Sequence, residues 1–135
     1  MWTLRRDDRG SMAVEIVILA PILMMFVLLI VAFGRYVAVK GDIEATSRDA
    51  ARAASMAGSL SEARGVAGSV VGGSLESGTS CRAASVGGTW GPGGEIEVSL
   101  DCQVSYAQLG LLGVPGSVGI SASSAAPLDP YRRYE

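Results

Sequence analysis

"IVILAPILMMFVLLIVAF", residues 16–33, runs for 18 positions without a charged or strongly polar side chain. As an α-helix it rises ~27 Å, close to the ~30 Å of hydrocarbon in a bilayer. A secretory signal peptide is the alternative, but its apolar region usually covers ~7–15 residues and ends at a small-x-small cleavage site. Here "VAFGRYVAVKG" follows instead, and the segment reads as a retained membrane span. Pro21 removes one backbone donor and can bend the helix, which membrane helices tolerate when neighbouring groups satisfy the freed carbonyl.

Immediately upstream a lone carboxylate, Glu15, stands at the mouth of the apolar run. A charge in a membrane helix costs ~2.5–3.5 kcal/mol at the centre and less toward the interface, so something should compensate it. If the chain is cut between Gly10 and Ser11, the new α-ammonium of Ser11 lies one helical turn from Glu15 on the same face. The two charges then neutralise each other, within one chain or between neighbours, and the helix macrodipole also favours a carboxylate in the first turn. Without a cut, Glu15 snorkels to the interface. Physical argument alone leaves both readings open.

Downstream, "GRYVAVKGDIEATSRDAARAASM", residues 34–56, keeps a helical period. Ile43, Ser47, Ala50, Ala54 and Ala57 form one narrow stripe of small side chains, with Glu44 four residues before Arg48 and Asp49 three before Arg52. The membrane helix therefore continues into water; unbroken from Ser11 to Ala57 it would be ~70 Å long, with Gly34 and Gly41 as the places where it could break. The stripe suits packing on the chain's own C-terminal part or on copies of itself. After Gly58-Ser59, "LSEARGVAGSVV" places Leu60, Ala63, Ala67 and Val70 on one face, with Ser61 as the expected N-cap of a short second helix. Glycine and serine then dominate to Ser80, as in a loop.

Three strand-like runs follow: "CRAASV", "EIEVSLDCQVSY" and "GSVGISASSA". In the middle run Ile96, Val98 and Leu100 alternate with Glu95, Glu97, Ser99 and Asp101, the period of a half-buried strand. The first two runs flank the turn "GGTWGPGG" and form a hairpin whose midpoint, Gly91-Pro92, brings Cys81 and Cys102 opposite each other. A disulfide there contributes ~3 kcal/mol in the chain-entropy model; two reduced buried cysteines are the alternative. Basic residues lie on both sides of the span, Arg5, Arg6 and Arg9 against Arg35, Lys40, Arg48 and Arg52, so charge does not orient it. The paired cysteines do, placing the C-terminal part in an oxidising, extracytoplasmic compartment. Trp90, at the hairpin tip, either offers an exposed contact or folds back over a thin core.

At 135 residues the chain has room for one domain plus an appendage, and outside the span its aromatic residues are only Trp2, Tyr36, Trp90, Tyr106, Tyr131 and Tyr134. The net charge of −2 and the absence of a large basic block argue against nucleic acid as a partner. With no histidine there is no Ser-His dyad or histidine metal ligand, and "PGSVG" at 115–119 lacks the first glycine of a nucleophile elbow. No enzyme, metal or cofactor template is met. The fold class is α+β: a single N-terminal transmembrane helix extending into a water-exposed helix, then a short helix and a small three-stranded antiparallel sheet. The expected divisions are a cytoplasmic leader at 1–10, the long helix at 11–57 and an extracytoplasmic domain at 58–135.

The leader Arg5-Arg6-Asp7-Asp8-Arg9-Gly10 followed by Ser11-Met12-Ala13-Val14-Glu15 resembles the processing signature of type IV pilin-like proteins. More narrowly, Arg9 to Glu15, Pro21 within the span, Phe33-Gly34 after it and Ala50 to Ala54 resemble the TadE-like family, minor pilins and pseudopilins of bacterial tight-adherence (Flp) pilus systems. The resemblance covers residues 9 to about 57. It implies that a prepilin peptidase cuts between Gly10 and Ser11, and that Glu15 serves processing or subunit docking. It further implies the lipid bilayer, other pilin-like subunits and pilus assembly proteins as partners, with no catalysis in this chain. An unprocessed single-span protein presenting a small extracytoplasmic binding module is the competing reading.

Overall fold

The computed structural model describes residues 9–135. The chain runs α1 (Arg9–Ser55), α2 (Leu60–Ser74), β1 (Thr79–Cys81), β2 (Ser85–Thr89), β3 (Glu95–Ser105) and β4 (Ser117–Pro127), an α+β arrangement. α1 is one helix of 47 residues, about 70 Å long at 1.5 Å per residue. Pro21 lies inside it, and it passes through Gly34 and Gly41 without a break. Each glycine costs a helix only ~1 kcal/mol relative to alanine, little beside the packing that holds the downstream half.

That packing uses the stripe of small residues. Ile43, Ser47, Ala50, Ala54 and Ala57 are all buried, and Thr46 and Ala51 widen the strip. They pack against α2, β3 and β4 of the same chain, so the stripe is occupied by the chain's own domain. Methyl-sized side chains let the two helices approach closely, with Ala63, Ala67 and Val71 facing in from α2. The buried hydroxyls are satisfied within α1, Thr46 donating to the Asp42 carbonyl at 2.8 Å and Ser47 to the Glu44 carbonyl at 2.9 Å. On the outer face Glu44 lies 3.9 Å from both Lys40 and Arg48, while Asp49 and Arg52 make no ion pair among the described residues.

α2 is capped by Ser59, not by Ser61 as the sequence suggested. The Ser59 hydroxyl accepts from the Glu62 N–H at 3.3 Å, and the Glu62 carboxylate accepts from the Gly58 N–H at 2.9 Å. Such a reciprocal arrangement needs an acid three residues after the cap; Ser61 has Arg64 there. The buried face is consequently Ala63, Ala67 and Val71, with Val70 only partly covered.

The sheet has four strands rather than three, because the first strand-like run divides into β1 and β2. Both pair antiparallel with the same side of β3, and β4 pairs with the other side along its whole length, from Glu95↔Pro127 to Ser105↔Ser117. Between Cys81↔Cys102 and Ser85↔Ser99, three residues, Arg82 to Ala84, face two, Leu100 and Asp101. This is a bulge, and it reverses the alternation so that Cys81 and Val86, five residues apart, both turn inward. On β3, Ile96, Val98, Leu100, Cys102 and Val104 form the buried face beneath the helices. At Gly88 the backbone has φ +101°, and a Cβ there would overlap the Glu95 carbonyl, so the hairpin closes only with glycine.

The C-terminal residues return to the helices. Leu128 is buried, the Arg132 guanidinium donates to the Met56 carbonyl at 2.6 Å, and the Glu135 N–H donates to the Gly58 carbonyl at 2.9 Å. A cation thereby serves the end of α1, where carbonyls lack helical partners and the macrodipole is negative.

Candidate functional site

α1 is divided into two halves of opposite character. Every side chain from Met12 to Val31 is exposed, including Ile18 at 61 % and Phe26 at 57 %, whereas Ile43, Ala50 and Ala54 are fully covered. By length and composition the exposed half is one helix apolar enough to cross a membrane, with a mean hydropathy of 3.2 in its most apolar window. Among the described residues Met12 to Phe26 is left uncovered, and the segment after β3 reaches only the last turn, near Leu29 to Phe33. The rod joining the halves is continuous, so whatever packs on the first half is mechanically coupled to the domain carried by the second.

Glu15 is the single ionisable group between Met12 and Gly34. It is exposed and has no ion-pair partner among the described residues. Positions 11 and 15 lie one turn apart on α1, the spacing at which two groups face each other. The Gly10–Ser11 peptide lies at the start of the described part of α1. The expected leader lies outside the described residues up to Asp8.

Cys81 and Cys102 are disulfide-bonded. The Arg82 N–H donates to the Asp101 carbonyl at 2.9 Å, which makes Cys81 and Cys102 a non-hydrogen-bonded pair, the kind whose side chains come closest across antiparallel strands. Trp90 adopts the second of its two readings. It is half-buried against the core with its ring 5.1 Å from that of Tyr134, edge to face, so it is not an open contact at the hairpin tip.

The family model described as TadE-like protein matches residues 10–52. That stretch resembles the TadE-like family. The match begins at Gly10 and ends three residues before the end of α1, taking in both halves of the rod and none of the sheet. It associates the chain with tight-adherence pilus systems and, together with the apolar helix, with anchoring in a membrane. No curated protein and no solved structure matches the chain. Two features escaped the sequence reading: the Arg132 cap, whose partner is 76 positions away, and the segment between β3 and β4, which closes against the upper part of the exposed half.

Proposed function

We propose that this TadE-like chain is a membrane-anchored structural subunit or assembly factor of a tight-adherence pilus. The uncovered apolar half of α1, rigidly joined to a small folded domain, is the observation that carries this reading. Such a rod holds a domain at the membrane and also offers a long apolar surface to neighbouring helices in an assembly. The leader is cytoplasmic and the disulfide-stapled domain extracytoplasmic, since a lone cysteine pair persists as a disulfide in an oxidising compartment. A prepilin peptidase cuts between Gly10 and Ser11, and the resulting ammonium pairs with Glu15, within the chain or on a neighbour. The inward position of Trp90 removes the main candidate contact of the competing binding-module reading.

Intact mass and terminal sequencing of the membrane-extracted protein test the processing step, with a start at Ser11 expected. Glu15→Ala should impair processing or assembly while leaving the outer domain folded, because Glu15 touches none of that domain. A start at Met1 together with normal assembly of the variant would refute the proposal.

A further inference from the structure

The loop between β3 and β4, residues 106–116, is an apolar, partly exposed segment outside α1. It reads "YAQLGLLGVPG", and no charged residue occurs anywhere between Asp101 and Asp129. Leu112 is 84 % exposed and Val114 49 %. Isolated exposed apolar residues are ordinary, but these two belong to a loop whose neighbouring residues meet α1 where the apolar run ends. A Cβ on Gly110 would lie 3.6 Å from Arg35 Cδ and 3.9 Å from Val31 Cγ1, and the Arg35 guanidinium donates to the Gln108 carbonyl at 3.4 Å. Leu111 shares an apolar depression of about 270 Å³ with Leu29 and Phe33. The loop thus reaches about one helical turn inside the apolar run that ends at Phe33.

Part of its backbone is paired within the loop. The Leu109 and Leu111 N–H groups donate to the Tyr106 carbonyl, Gly110 donates to Ala107, and Val114 to Leu111, at 3.0–3.3 Å. Internal pairing of this kind lowers the cost of taking those groups out of water, while the Leu112 and Gly113 N–H groups, with no backbone partner, suit the hydrated interface rather than the hydrocarbon. Tyr36 and Tyr106 stand at the same level, where interfacial tyrosines place their rings.

We propose that this loop enters the outer lipid interface beside α1, with Leu112 and Val114 as its lipid-facing side chains. The proposal rests on the reading of α1 as a membrane span. It makes the domain a two-point membrane contact and sets its height: the hydrocarbon boundary crosses α1 near Leu29 to Phe33, with the sheet standing directly on it.

The test uses full-length, oxidised protein in phosphatidylcholine/phosphatidylglycerol vesicles, with one NBD label at a time on Leu112→Cys, Ile22→Cys or Ser123→Cys; the Cys81–Cys102 bond leaves no native thiol to react. Emission is quenched by nitroxide lipids in the bilayer or by iodide present on both sides. Labels at positions 22 and 112 should lose most of their emission to the nitroxide lipid and resist iodide, and the label at 123 should do the reverse. If position 22 is quenched by lipid while position 112 is quenched only by iodide, the loop proposal is overturned and the span stands. If position 112 is shielded from both quenchers, a protein copy covers the loop and the proposal is likewise overturned. If position 22 escapes the lipid quencher, the membrane reading fails and takes the loop with it. Leu112 is exposed, so its replacement spares the fold, which Trp90 emission verifies in a Trp2→Phe background.

Discussion

The disulfide gives a perturbation whose size follows directly from its place in the chain. Cys81 and Cys102 are 21 residues apart, and closing a loop of that size removes unfolded-state entropy equivalent to about 3 kcal/mol at 25 °C. The double variant Cys81→Ala/Cys102→Ala should lose about that much, plus a smaller amount for the buried Cys102 sulfur. β3 should still form, because β4 pairs with it from end to end and β2 holds its first half. Three-residue β1 is the element expected to fray. Urea unfolding of the full chain in detergent, followed by Trp90 emission in a Trp2→Phe background, reads the outer domain alone. With a slope of about 1–3 kcal/mol per M for a small domain, the midpoint should fall by about 1–3 M. An unchanged midpoint at unchanged slope would refute the loop-closure reasoning and show that the rest of the sheet already imposes the constraint.

Two further substitutions probe the helix packing. Ala54→Leu forces three additional carbons into a fully buried position between α1 and the domain, and should destabilise it by about 1–3 kcal/mol in the same titration. Ser59→Ala should cost about 1 kcal/mol through loss of the α2 cap, whereas Ser59→Gly should cost only a few tenths, a contrast that a calorimetric melt of the outer domain would resolve.

The long helix and its buried stripe were legible because period and composition agreed: Ile43 to Ala57 recur at helical spacing, and nothing nearby competes with helix formation. The cysteine pairing was legible because the glycine-rich turn fixed the hairpin's midpoint. The split between β1 and β2 was not anticipated, since "RAA" contains no turn residue. A signal was nevertheless present: Cys81 and Val86 are an odd number of residues apart, so an unbroken strand could not turn both inward. The Ser59 cap went unread because two serines flank Leu60, and only the position of Glu62 distinguishes them. Of the candidate site, Glu15 and the apolar run stood out by charge and length. The β3–β4 loop did not, because its proximity to Val31 and Arg35 is created by the sheet and has no local pattern in the chain.

The unbroken passage of α1 through Gly34 and Gly41 also fixes an azimuth. Between Glu15 and Ile43 lie 28 residues of helix, a little under eight turns. Glu15 therefore points roughly a quarter turn away from the line on which the domain is mounted. The sheet behaves like a flag keyed to a shaft: choosing which side of the shaft meets a neighbour also chooses the compass bearing of the flag. One residue inserted between Gly34 and Gly41 would swing that bearing by about 100° and would turn Leu29 to Tyr36 away from the loop they now meet.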